Sequence, residues 1–355
     1  MYVLFTQHPA LLVDCCDDIG QTQLTIDTLP DDALLYVFDF YLALSSEVEA
    51  WHTLVHVCRR WRILVFGSPR RLNLRIACTD DTPVKEKLDV WPAAIPIVVS
   101  GTFKPTTDLG NIKAALERHN RICQIKLFFS RCELEDIVAS LEEPFPILTD
   151  LDLGAVGLFW PLHLDPSKFL GGSAHLRSLT LSGIPIPDLK ILLCTPNLVI
   201  LRLDRIRGSF LPDEMVTVLS SLAKLKQLDL QFESHPDWEN RSLPSPTPTV
   251  LPSLTVLRIR GDTQNLEDFI ARVEAPLLDH LYVLFSFSAF GRVTAFDTPH
   301  LIGFISRVPK LKEPDEAYIG FDTDEFKIWV TARQLAGLPI IFSRWDRIKR
   351  RAGPQ

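Results

Sequence analysis

One six-residue pattern recurs seven times along this chain and restricts its fold more than any other feature. An aliphatic residue is followed three and five positions later by two more, L-x-x-L-x-L with Ile or Val replacing Leu. It occurs as Ile122/Ile125/Leu127, Leu148/Leu151/Leu153, Leu176/Leu179/Leu181, Leu198/Leu201/Leu203, Leu225/Leu228/Leu230, Leu254/Leu257/Ile259 and Leu278/Leu281/Val283. First positions are separated by 26, 28, 22, 27, 29 and 24 residues, a mean of 26. A single match means little in a leucine-rich chain. Seven in series mark a repeated supersecondary unit that buries its apolar residues only by stacking on its neighbours.

The period lies in the range of leucine-rich repeats, about 20–29 residues. The last two aliphatic positions of each match are two apart, the spacing of one strand face. Each repeat is therefore expected to supply a short parallel strand, with the connecting segments forming an outer wall. Helical connectors are expected at Glu133–Leu141, Asp213–Ala223 and Asn265–Val273. The Asn or Cys usual three residues after the last Leu is missing, with Val156, Ile184, Ile206, Glu233 and Asp262 in its place. An irregular solenoid without that side-chain ladder follows. A Pro-rich insert at Arg241–Pro252 and a longer connection at Phe285–Asp297 add to the irregularity. Further on, His300–Leu311 is expected to be helical and Ala317–Phe321 a strand, as degenerate closing units. The basic stretch Arg344–Arg351 is either a polar cap or a solvated end.

Upstream, residues 25–68 have helical spacing. Leu29-Pro30-Asp31-Asp32 is a helix start: proline loses nothing at a helix's first turn, and the dipole favours acids there. Leu34, Leu35, Val37, Phe38, Tyr41 and Leu42 follow on a wide face. Ser46 and Glu49 fit a capping box for a second helix carrying Trp51, Leu54, Val55, Cys58, Trp61, Leu64 and Val65, stopped at Gly67-Ser68-Pro69. Two such helices are too small to bury their own apolar faces. Either they pack on the rest of the chain or they keep a face for another protein.

Of the 355 residues, 46% are hydrophobic and 23% charged, and the formal net charge is −7. That composition fits a globular chain and argues against a basic nucleic-acid binder. Apolar runs such as Ile95–Val99 and Leu281–Phe285 are far shorter than a membrane span. The opening MYVLFTQHPALLV lacks an early Lys or Arg, a poor secretory signal, so the sequence reads as intracellular, cytoplasmic or nuclear. Seven cysteines without a CxxC or paired spacing fit reduced thiols, with Cys15-Cys16 the only vicinal pair. No Walker A, GxGxxG or GxSxG motif occurs. His52 and His56 stand in H-T-L-V-H, without the glutamate of a zinc protease. Asp14/Asp17/Asp18 and Glu313/Asp315/Glu316 show no acid–base pairing and fit solvated loops. Binding is expected rather than catalysis, with no cofactor and no metal.

The stretches LPDDALLYVFDFYL (29–42) and WHTLVHVCRRWRILVF (51–66) resemble an F-box, the motif by which F-box proteins dock on the Skp adaptor of cullin-based ubiquitin ligases. The continuation, SPRRLNLRIACT and then LDVWPAAIPIVVSG, is similar to basidiomycete fungal F-box proteins with divergent leucine-rich repeats. The resemblance spans roughly residues 25–325. It implies that Leu29, Pro30, Leu34, Leu35, Val37, Phe38, Leu42, Leu54, Val57, Cys58, Trp61 and Leu64 form the F-box core and adaptor contact. Ala43–Ala50 lacks the family's short basic turn, and the segment after about residue 330 departs from the family.

The expected architecture is α/β: a segment at 1–24, an F-box at 25–68, a linker or solenoid cap at 69–118, a leucine-rich-repeat-like solenoid at 119–325, and a tail or cap at 326–355. The resemblance implies a substrate receptor, with the Skp adaptor and through it a cullin on one side and a target protein on the other. Residues alternating with the inward leucines are expected on the concave face: Gln124/Lys126, Asp150/Asp152, Ser178/Thr180, Ile200/Arg202, Gln227/Asp229, Val256/Arg258/Arg260 and His280/Tyr282. That face runs from an acidic pair to a basic pair, so a target of opposite polarity is expected; plain solvation is the alternative. The rival functions are an adaptor-binding scaffold that directs no ubiquitylation, and a repeat protein whose helices only cap the stack.

Overall fold

The computed structural model describes residues 26–44, 51–68, 74–91, 93, 95–101, 108–156, 173–184, 192–193, 195–206, 212–232, 248–286, 298–312, 314, 316–321 and 325–331. The fold is mixed α/β, and the chain divides into two compact units, Met1–Arg71 and Leu72–Gln355.

In the first unit a 3-10 turn at Ile26–Thr28 leads into α1 (Asp31–Leu44). The Pro30 carbonyl accepts the first helical bond, from the Leu34 N–H at 3.1 Å. The expected second helix is broken in two, α2 (Trp51–Val55) and α3 (Arg59–Gly67). The break falls in a β-branched stretch, Thr53 to Val57, where helix propensity is low. Cys58 is extended there and acts as the N-cap of α3, its Sγ accepting from the Trp61 N–H at 3.5 Å. Arg62 Nε satisfies the Val55 carbonyl at the end of α2, at 3.0 Å. Arg60 reaches back to the start of α1, bonding Asp31 Oδ1 at 2.6 Å and the Leu29 carbonyl. Phe38 and Trp61 pack with ring centroids 4.7 Å apart, joining α1 to α3. The Ser46/Glu49 capping box lies outside the described residues.

The second unit is built on an eleven-stranded sheet. Its strands are β1 (Leu74–Ala77), β2 (Ile97–Gly101), β3 (Ile122–Ser130), β4 (Asp150–Val156), β5 (Ser178–Ser182), β6 (Ile200–Ile206), β7 (Gln227–Phe232), β9 (Val256–Gly261), β11 (His280–Ser286), β12 (Glu316–Phe321) and β13 (Glu325–Thr331). From β1 to β11 neighbours follow chain order and every pair is parallel. Helices α4 (Val84–Val90), α5 (Leu109–Leu116), α6 (Arg131–Leu141), α7 (Pro212–Ser220), α8 (Thr263–Ala271) and α9 (Pro299–Arg307) lie in the connections. Parallel neighbours joined by right-handed crossovers put their helices on one side of the sheet. Accordingly α6 packs on β3 and β4, and α8 on β9 and β11. A minor ladder pairs β8 (Thr249–Val250) with β10 (Val273–Glu274).

The heptad of matches is the core. All 21 aliphatic residues of the seven patterns are at most 3% exposed. The strand registers align them in rows, for example Leu151↔Leu179, Leu179↔Leu201 and Leu201↔Leu228. In place of an asparagine ladder, the backbone joins the repeats. The carbonyls of Thr149, Arg177, Val199, Lys226 and Thr255 each accept two consecutive N–H groups from the next repeat, at 2.8–3.0 Å. Side chains add to this seam: Thr149 Oγ1 to the Cys123 carbonyl, Asn197 Nδ2 to that of Ala174, and Ser253 Oγ to that of Ala223. Of the five positions without the usual Asn or Cys, Ile184 is buried and Asp262 caps α8 by accepting the Asn265 N–H at 2.9 Å.

The stretch read as a linker or cap carries β1, α4, β2 and α5, two further parallel units of the same sheet. At the other end the closing units are antiparallel. The strand β13 inserts between β11 and β12, pairing with both, so residues 325–331 cover the β11 edge. Glu267 on α8 closes the helical side: its buried carboxylate accepts the N–H groups of His300 and Leu301 at the start of α9, at 2.8 and 3.0 Å. An acceptor at that position matches the helix dipole and the unpaired first-turn donors.

Gly183 has φ +67°, and a Cβ there would run into the Ala155 carbonyl oxygen. Gly183→Ala is expected to cost about 1–3 kcal/mol in urea denaturation. Gly303→Ala, in α9 with no close neighbour but the end of Arg307, is expected to add about 0.5–1 kcal/mol.

Candidate protein-interaction surfaces

Each unit presents one surface. In the helical unit, α1 is apolar around most of its circumference, and only one side is covered. Leu34 and Phe38 are buried on α1, as are Trp51, Leu54, Val55 and Val65 on α2 and α3. The other side leaves Tyr36 (70%), Val37 (48%), Phe40 (67%) and Tyr41 (36%) exposed. Tyr36/Phe40 and Val37/Tyr41 are i, i+4 pairs, so they form one stripe. Ile63 and Phe66 are exposed on α3, with Val57, Leu29 and Ile26 on the connecting turns. Among the described residues, nine of the fifteen exposed large hydrophobics belong to this unit, whose described part has only 37 residues. Such a concentration makes this unit a candidate interaction surface.

The structure thus sorts the residues implied by the F-box resemblance. Leu29, Pro30, Val37 and Val57 are exposed; Leu35, Cys58, Trp61 and Leu64 are half-buried; Leu34, Phe38 and Leu54 are interior. The Leu42 side chain lies outside the described residues. Tyr36, Phe40, Ile63 and Phe66 join the exposed group although sequence reasoning had not singled them out. The available signal was the width of the apolar surface on α1, where after Asp32 only Asp39 carries a charge.

The second surface is the sheet face opposite the aliphatic rows. Its residues pair across strands in register, so one row reads Lys126, Asp152, Thr180, Arg202, Asp229, Arg258, Tyr282. All are half-buried or exposed. The charges in this row are largely engaged with each other. Lys126 Nζ lies 3.8 Å from Asp152, and Asp229 Oδ2 is shared by Arg202 Nε at 3.1 Å and Arg258 Nη1 at 3.3 Å. In the adjacent row Gln124 Nε2 donates to Asp150 at 3.2 Å, and Asp150 also accepts the Thr149 hydroxyl. The acidic pair on β4 is therefore partly neutralised by β3. His280 departs from the row: it is buried and hydrogen-bonds Thr331 of β13. Arg260 is exposed, its guanidinium 5.8 Å from the centroid of the Tyr282 ring. Phe128 lies across Gly154 of the next strand, where any Cβ would meet its ring.

Asp152 and Asp229 each bury one carboxylate oxygen without a hydrogen-bond partner among the described residues. Desolvation raises the Asp152 pKa above the ordinary value, against the pull of Lys126 and Arg202. Burial likewise pushes the Cys78 thiol up to about 12 and the Cys123 thiol up to about 11, which leaves both unreactive. Cys58 serves as a helix cap, His56 is exposed, and the His52 side chain and Cys15-Cys16 lie outside the described residues. So do Asp14, Asp17, Asp18, Glu313 and Asp315. Among the described residues, no group of three or more His, Cys, Asp and Glu side chains could hold a metal ion, and no helix is long and apolar enough to cross a membrane.

A raised aspartate pKa means that the folded state binds its proton more tightly than the unfolded chain. Stability is then lost as pH rises from the unfolded value through the raised folded value. Asp152→Asn lacks this loss, so its stability relative to the parent chain should increase across that window, as measured by urea denaturation at a series of pH values. No family model matches the chain, and no curated protein matches it.

Proposed function

We propose that this chain is an F-box substrate receptor of a Skp–cullin–F-box ubiquitin ligase. In this reading the helical unit docks on the Skp adaptor, and the parallel-strand unit, a divergent leucine-rich-repeat solenoid, presents a target protein. The chain itself contributes binding and no catalysis, and it works inside the cell.

The observation that carries the reading is the apolar stripe on α1 and α3. Burying a Tyr, Phe or Ile side chain is worth about 1.5–3 kcal/mol relative to leaving it in water. Tyr36, Phe40 and Ile63 forgo that gain in the chain alone. A partner with an apolar groove restores it, and the resemblance of residues 29–42 and 51–66 to an F-box names that partner as the adaptor. The repeat unit supports the second half of the reading, because it offers one broad face with no described element packed over it.

The test is co-purification with a Skp-type adaptor. Val37→Glu with Phe40→Glu, both exposed, should abolish adaptor capture and leave thermal unfolding unchanged, because neither side chain supports the interior. Arg258→Glu with Arg260→Glu should leave adaptor capture intact. Undiminished capture by the Val37/Phe40 variant would overturn the reading. Capture of adaptor without cullin-dependent turnover of any associated protein would favour the scaffold role instead.

A further inference from the structure

The open sheet face is asymmetric in what its cations have left to give. Lys126 at the β3 end is matched to Asp152. Toward β9 and β11, among the described residues, two guanidiniums share the Asp229 carboxylate and a third, Arg260, lies on the next outward position of β9. Arg202 spends only Nε on Asp229, and Arg258 only Nη1. Arg260, among the described residues, makes no hydrogen bond and rests on the Tyr282 ring. Asp204, the carboxylate on β6, accepts the Ser182 hydroxyl of β5 at 2.9 Å. Each guanidinium carries five N–H donors, so among the described residues most of the donors in this cluster have no protein acceptor.

From this arrangement we infer that the face over β6, β7, β9 and β11 binds an extended acidic peptide segment through paired carboxylates. Arg258 and Arg260 are i, i+2 on one strand, about 7 Å apart along it, and alternate carboxylates of an extended peptide repeat at the same spacing. Arg202 lies two strands away, about 10 Å across the sheet, where a further carboxylate of the same segment reaches it. Asp229 holds Arg202 and Arg258 in place without satisfying them, so less side-chain freedom is lost on binding. Tyr282 does the same for Arg260. Asp150 and Asp152 repel an acidic segment at the β4 end and confine it to the arginine end. A nucleic acid fits less well, since the chain is acidic, with a net charge of −7, and the basic cluster is local rather than a stripe.

The inference deepens the receptor reading by naming the chemistry of the target, and it is tested without the adaptor. A fluorescein-labelled oligoglutamate peptide is titrated with the full chain at low and raised salt, and anisotropy is recorded. Saturable, salt-sensitive binding is expected. Arg258→Glu with Arg260→Glu should weaken it by about tenfold or more, the scale of losing charge-assisted hydrogen bonds. Arg260→Gln, which removes no hydrogen bond of the fold, should weaken it less, and Lys126→Gln should leave it unchanged. Melting curves verify that each variant is folded. Equal binding by the double variant, tighter binding of oligolysine or of a single-stranded oligonucleotide, or no binding of oligoglutamate would overturn the inference. If adaptor capture fails while oligoglutamate still binds, the ligase reading falls and the acidic-peptide site stands.

Discussion

The seam that joins one repeat to the next fixes everything else in the larger unit. At the start of β4, β5, β6, β7 and β9 a single carbonyl receives two successive N–H groups from the following repeat. This sets the register, and register in a sheet decides which side chains face in, since a slip by one residue exchanges the two faces. The aliphatic rows enforce the same answer, because a slip would expose every inward Leu at once. Two independent constraints thus agree, one in the backbone and one in the apolar side chains. That agreement keeps the parallel strands in register across connections of unequal length.

The same register writes the pattern of the opposite face. Charges of opposite sign fall on neighbouring strands, so much of the polarity legible along the chain is consumed in short cross-strand pairs. Desolvated carboxylates such as Asp152 are a cost of that arrangement, and the arginine end is where the pairing leaves donors over. The face is neither a uniform solvated surface nor a simple acidic-to-basic gradient; it is a half-neutralised array with one unsatisfied end.

The repeat strands were legible because a period of two, anchored by an aliphatic residue three positions upstream, is found in few other contexts. The first two strands lacked that anchor. Leu74/Ile76/Cys78 and Ile95/Ile97/Val99 alternate without it, so the sequence alone left them inside a connection. The strand Glu325–Thr331 falls in the stretch read as a tail or cap; the alternation of Phe326, Ile328 and Val330 is short, and nothing in it carries the direction of its antiparallel insertion beside β11. The break between α2 and α3 was hidden because Val55, Val57 and Cys58 continue the apolar pattern; a local backbone turn and a thiol cap decide it. On α1 hydrophobicity gave a face too wide to separate interior from exterior. Packing of Phe38 on Trp61 selects the interior, and what remains outside, Tyr36 and Phe40 above all, becomes the candidate surface.

The helical unit has a small interior and a broad apolar exterior, the surface proposed to receive the adaptor. Hydrogen–deuterium exchange of the full chain, alone and with a Skp-type adaptor, measures this directly. Adaptor is expected to slow exchange in Asp31–Leu44 and Arg59–Gly67 and to leave the strands from Ile122 to Ser286 unchanged. Unaltered exchange in both helices at saturating adaptor, or slowing confined to the sheet, would contradict the proposed docking.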